Sequence, residues 1–137
     1  LSLNATEELP KPCRIALVQG AGLLGVYTCA LLREKGVGTV YVSDLDAARL
    51  QMIERFGGIP IDANAVPREL DGAVDAAFEV AGHPGLVPAG ITALRAGGGA
   101  DALPFAARPR GIYFRPKVVY DRARSDAHLQ VKKQGKK

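Results

Sequence analysis

Three glycines and one carboxylate in this chain have the types and spacing to do chemistry together. Gly20-Ala21-Gly22-Leu23-Leu24-Gly25 is a G-x-G-x-x-G. Gly20 permits a tight turn, Gly22 lacks the Cβ that would hold a pyrophosphate away, and Gly25 lets a helix lie close to a strand. The N–H groups at the start of that helix, with the positive end of its dipole, attract an anion. Asp44 follows Gly20 by 24 positions, close to the spacing at which an acid meets a ribose. A carboxylate there accepts hydrogen bonds from ribose hydroxyls and repels a 2′-phosphate, so NAD is expected rather than NADP. Asp44 has a second reading, as the cap of a helix from Ala47. Asp46 directly precedes Ala47 and fills that role better.

Those residues need strands and helices to hold them. The apolar run from Arg14 to Gln19 predicts a strand. A helix is predicted over 22–35, ended by Gly36 and Gly38 with Lys35 near its negative end. A second strand is expected over 39–43. A second helix is expected over 47–56, with Leu50, Ile53 and Phe56 toward the core. Ile59-Pro60-Ile61 reads as a short edge strand, because Pro60 cannot donate to a ladder. A strand over 74–80 and a helix over 85–94 continue the alternation. The pattern specifies an α/β fold, a Rossmann-like doubly wound parallel sheet.

Two places break the pattern. Residues 63–73 are eleven positions containing Pro67, short for a parallel crossover, so a helical turn or an extended crossing is expected. After Gly97-Gly98-Gly99 no clear fifth strand appears, and the sheet is expected to be incomplete in its C-terminal half. Residues 112–114 and 117–120 could form short strands of unspecified arrangement, and 130–137 are expected to be disordered. The chain therefore divides into a lead-in segment over 1–13, a nucleotide-binding domain over 14–99 and an irregular basic C-terminal tail over 100–137.

The 137 residues suffice for one domain with a core. No apolar run approaches the ~20 residues that span a membrane, and no signal segment opens the chain. A cytoplasmic location without a membrane partner is the expectation. The first residue is Leu, which suggests a chain beginning inside a longer product. Cys13 and Cys29 are too few for a disulfide framework or a four-cysteine zinc site. The net charge of +4 divides unevenly, with +8 on residues 108–137 and −4 on residues 1–107. The basic balance thus belongs to the tail. A basic tail can bind nucleic acid, but no nucleic-acid motif accompanies it, and a solvated end is the expectation.

Several stretches together resemble a known family. VQGAGLLGVYTCALLREKG, VSDLDAARL, RFGGIPID and DAAFEVAGHPG are similar to the coenzyme domain of medium-chain, zinc-dependent alcohol and polyol dehydrogenases, over roughly residues 14–98. The resemblance implies that Gly20, Gly22 and Gly25 form the phosphate-binding turn, with Leu23 and Leu24 opening the helix beneath the pyrophosphate. It implies Asp44 as the ribose-binding acid. Arg49 matches the basic residue that reaches the adenosine ribose, and a solvated surface arginine is its other reading. Val80, Ala81 and Gly82 match the turn bordering the cofactor cleft.

The departures are as informative. The family's catalytic zinc domain has no counterpart here, so no catalytic residue and no metal ligand is expected. His83 and His128 form no ligand spacing with the cysteines. His83 is expected to cap the next helix or face solvent. The resemblance implies an NAD-binding domain of a dehydrogenase-like oxidoreductase, as a fragment inactive alone, with zinc only in a full-length relative. The alternative is a non-catalytic nucleotide-binding or interaction protein, a truncated product with a dimer partner from the same family. A methyltransferase also pairs a glycine turn with an acid, but Gly25 and the turn after residue 79 argue against it.

Overall fold

The computed structural model describes residues 9, 10 and 12–95, and the backbone of three later strands. The apolar run becomes β1, Ile15–Gln19, which is buried on both faces. Ala16 and Val18 enter one core layer with Cys29, Leu32, Val40, Val42, Ile53 and Phe78. Leu17 enters the other with Ile61, Leu70, Val74, Ala77, Ala93 and Leu94. A strand covered on both faces needs a continuous apolar run, and the chain supplies one here.

From β1 the chain passes through α1, Leu23–Glu34, to β2, Thr39–Asp44. A single helical turn follows, α2, Ala47–Leu50, capped by Asp46, whose carboxylate accepts from the Ala48 and Arg49 N–H groups. A 3₁₀ turn over Ile53–Phe56 leads into β3, Ile59–Asp62. Another 3₁₀ turn, Arg68–Leu70, leads to β4, Ala76–Glu79. The chain then enters a 3₁₀ turn over Pro84–Leu86 and α3, Val87–Ala93. Three strands follow: β5, Ile112–Arg115, β6, Val118–Arg122, and β7, Leu129–Lys133.

Among the described residues the strands form one sheet in the order β3-β2-β1-β4-β5-β6-β7. β1 pairs in parallel with both β2 and β4, and β3 pairs in parallel with β2. The order turns back between β1 and β4, which makes this a doubly wound, Rossmann-like α/β fold. The turning point lies above Gln19, at the carboxyl end of β1, where such folds open their crevice.

Several expectations need correction. The helix expected over 47–56 ends at Leu50, and at Gly58, beyond the 3₁₀ turn, a Cβ would lie 2.7 Å from Ile53 Cγ2 and 2.8 Å from Cys29 Sγ. The chain is drawn that tightly onto α1, and a 3₁₀ turn delivers Ile53 to the core. Phe56, expected to face the core, stays 37% exposed. The strand expected over 74–80 is shorter at both ends; before it, Val74 bridges to Leu94 and Asp75 turns its carboxylate onto the Arg14 and Ile15 N–H groups. The crossing over 63–73 is a helical turn preceded by Pro67. Pro60 does lie in the strand at the sheet edge.

The stretch expected as an irregular tail contains strands. β5 continues the sheet parallel to β4, and β6 and β7 add antiparallel. β7 occupies positions 129–133 and so overlaps the 130–137 end expected to be disordered. Of these three, only β5 takes a partner distant in the chain, β4, whereas β6 and β7 pair with their chain neighbours; in both cases the pairing creates order that local composition does not announce. The expectations for 96–111, 116–117, 123–128 and 134–137 lie outside the described residues. So does most of the lead-in, although Leu9 and Cys13 pack against the core.

Asp75 also forms an ion pair with Arg95, and the two side chains are 1% and 16% exposed. This pair ties the residue before β4 to the second residue after α3. Arg95→Met leaves the carboxylate buried without its counter-charge, and an expected loss of about 3–5 kcal/mol in urea unfolding follows.

Candidate functional site

The glycine turn sits at the end of β1. Gly20 has φ +121°, a conformation that L side chains rarely adopt, and its N–H donates to the Ser43 carbonyl at 2.8 Å. A Cβ on Gly20 would also come within 3.0 Å of Ala81 Cβ. Gly25 is tighter still, since its Cβ would stand 1.7 Å from the Gly20 carbonyl oxygen. Gly22 differs from both: the nearest atom to its Cβ position is an Arg49 guanidinium nitrogen at 4.0 Å. Gly20 and Gly25 are small because protein fills the space beside them, whereas Gly22 faces open space. Gly22 is the N-cap of α1, no side chain caps that helix, and its first turn carries no acid. The first-turn N–H groups thus have no capping side chain and can meet an anion.

Asp44 closes β2 beside this turn. Its Oδ2 accepts the Ala21 N–H at 2.8 Å and its Oδ1 accepts the Asp46 N–H at 2.8 Å. Arg49 stands 3.8 Å from Asp44 and 3.8 Å from Asp46. Burial pushes the Asp44 carboxyl up. The N–H groups of Ala21, Asp46 and Leu45 and the Arg49 charge outweigh it, and the net shift is downward. Each carboxylate oxygen keeps a second lone pair for a hydroxyl donor.

The shift has a sign for stability. A depressed carboxyl contributes stability that is full above its unfolded value and is lost as pH falls through the folded value. Asp44→Asn is therefore expected to flatten the loss of melting temperature below the ordinary value of 3.8. Thermal melts of both proteins across the acid range measure this.

A cavity of about 440 Å³ opens over these residues, within the size range of small-molecule sites. Of the residues expected at a cofactor site, Gly20, Gly22, Asp44, Arg49, Val80 and Ala81 line it. Leu23, Leu24, Gly25 and Gly82 are not among its lining residues. Leu23 is 90% exposed, and Gly82, with φ +80°, bends the loop after β4.

Sequence reasoning missed part of the wall. Ser43, Leu45, Ala63, His83, Gly85 and Leu86 also line the cavity. Ser43, Leu45 and Ala63 lie within one residue of the end of β2 or β3, so knowledge of the strand ends would have found them. His83 is exposed, as expected, but it sits at the cavity. The thiols lie elsewhere. Burial, then the Asp75 charge, pushes Cys13 up to about 12, and burial raises Cys29, so both stay protonated and poorly nucleophilic. Among the described residues no group of three His, Cys, Asp or Glu could hold a metal ion. No described helix is long and apolar enough to cross a membrane.

The comparisons with known proteins agree on a class. The chain is 36% identical over 92 residues to glucose 1-dehydrogenase of Thermoproteus tenax, covering 66% of this chain and 26% of that protein. Among solved structures it is similar to 2R,3R-butanediol dehydrogenase from Bacillus subtilis, with a TM-score of 0.61 and 29% identity over 67% of this chain and 29% of that one. The fold also matches an alcohol dehydrogenase from E. coli CFT073 solved with NADH, with a TM-score of 0.58 and 24% identity over 67% of this chain and 30% of that one. No family model matches the chain. Its homologues are thus alcohol and polyol dehydrogenase-like oxidoreductases. The chain spans about a quarter of the length of the curated relatives it matches.

Proposed function

We propose that residues 14–99 are the NAD-binding domain of a zinc-dependent alcohol or polyol dehydrogenase-like oxidoreductase. One observation carries the reading: the open space at Gly22 and the uncapped start of α1 adjoin Asp44 in a single cavity. A pyrophosphate would lie against the Gly22 backbone and the helix end. The adenosine ribose would donate its hydroxyls to Asp44, with Arg49 at the cavity lip. Arg49 is 59% exposed, so its contribution rests on reach rather than on a buried contact. Leu23, Leu24 and Gly25 build the helix beneath the pyrophosphate, and Val80, Ala81 and Gly82 belong to the loop on the far side.

The bound nicotinamide would accept hydride in the reaction such oxidoreductases perform. The residues of this chain hold and orient the cofactor. The described residues offer no cluster for zinc, and no step is routed through that metal. Asp44 favours NAD over NADP by repelling a 2′-phosphate. The cavity and the kinship with dehydrogenases weigh against a purely non-nucleotide role.

Titration of the purified chain with NADH, NADPH and S-adenosylmethionine tests the reading. NADH is expected to bind tightest. Tighter binding of S-adenosylmethionine, or no binding of NADH at millimolar concentration, overturns it.

A further inference from the structure

We propose that Gln19 and Glu79 are positioning residues that hold the loop 80–86 and thereby shape the seat of the nicotinamide half of the cofactor. The inference rests on the NAD-binding reading and adds the residues that build the second half of that site. Gln19 ends β1, Glu79 ends β4, and the two are register partners across the turning point of the sheet. Both are buried, at 3% and 0% exposure. Polar groups buried this deeply cost free energy unless they are bonded. Both reach the same loop.

Glu79 Oε2 accepts the Gly82 N–H and, at 3.1 Å, the His83 N–H. Gln19 Nε2 donates to the Leu86 carbonyl at 3.0 Å. The Gln19 carbonyl accepts the Val80 N–H at 3.0 Å. Two adjacent strand ends therefore clamp the loop at its beginning, middle and end.

That loop supplies Val80, Ala81, His83, Gly85 and Leu86 to the cavity. Ser43, Asp44, Leu45 and Arg49 supply the opposite, adenosine side. A dinucleotide straddles such a turning point, with one nucleoside over each half of the sheet. Neither Gln19 nor Glu79 is among the cavity's lining residues, so each acts through the loop. A change at either should loosen the nicotinamide end and spare the adenosine end.

The experiment compares NADH with ADP-ribose, which lacks the nicotinamide, on wild type, Gln19→Met and Glu79→Met, each of which removes the side chain's hydrogen-bonding atoms. Losing a clamp bond is expected to weaken NADH about ten-fold, with ADP-ribose changed by less than about two-fold. Amide exchange should show Gly82 and His83 protected in the wild type and faster in Glu79→Met, which offers them no oxygen acceptor. Equal losses of both ligands, or no loss of NADH, overturns the proposal. Should Glu79→Met fail to fold, Gln19→Met and the wild-type exchange pattern decide. A wild type that binds neither ligand removes the NAD-binding reading itself. A wild type that binds both, with variants that keep the NADH to ADP-ribose ratio, removes only the clamp.

Discussion

Asp44→Ala should weaken NADH binding about ten-fold or more and remove most of the preference over NADPH. Losing a hydrogen bond to a charged group costs about 1.5–3 kcal/mol, and a 1.4 kcal/mol difference is about a factor of ten. Two effects act on NADPH in the opposite direction. The carboxylate that would repel a 2′-phosphate is gone. Arg49, now 3.8 Å from that carboxylate, is released to meet the phosphate. NADPH is therefore expected to bind the variant more tightly than it binds the wild type. The substitution also strips the Ala21 and Asp46 N–H groups of their acceptor, so some melting temperature will be lost. The ratio of the two affinities, measured by calorimetry below the melting range, separates recognition from stability. An unchanged ratio would mean that Asp44 only braces the turn.

Gly22→Ala and Gly25→Ala should fail in opposite ways. At Gly25 the new methyl would land 1.7 Å from the Gly20 carbonyl oxygen. Backbone has to move to admit it, and the helix is pushed off the strand end. Overpacking of this kind costs about 1–3 kcal/mol and sometimes more; contact with rigid backbone argues for the upper end. At Gly22 the methyl meets no protein atom closer than 4.0 Å, and the backbone has an ordinary φ of −74°. That variant should fold with nearly wild-type stability. It should nonetheless bind NADH at least about ten-fold more weakly, because the methyl occupies the space meant for the pyrophosphate. Melting curves and NADH titration on the two proteins read both halves. Gly22→Ala binding as tightly as wild type would show that the space at Gly22 is not a ligand seat.

Local sequence determined the first half of this protein. A continuous apolar run, three glycines at fixed spacing, an apolar helix and a second strand specify β1, the turn, α1 and β2 through short-range preferences alone. Asp46 was recognisable as a cap because capping is a matter of adjacent residues, and its carboxylate does hold the Ala48 and Arg49 N–H groups. Asp44 is legible because it follows Gly20 by 24 positions at the end of a second apolar run, close to the spacing at which an acid meets a ribose.

Tertiary structure decided the rest. The helix expected over 47–56 stops after Leu50, and the chain beyond the 3₁₀ turn closes at Gly58 onto Cys29 of α1, a neighbour more than twenty residues away. Asp75 and Glu79 look like ordinary strand acids in the sequence; the fold buries both, Asp75 against the N–H groups at the start of β1 and Glu79 against those of the loop that follows it. The far wall of the cavity depends on Gln19 reaching Leu86, 67 positions along the chain. β5, β6 and β7 find their place by pairing, in which register and direction come from partner strands. Turn chemistry and side-chain periodicity act within a few residues and can be read in order along a chain. Burial and strand pairing join segments that only folding brings together.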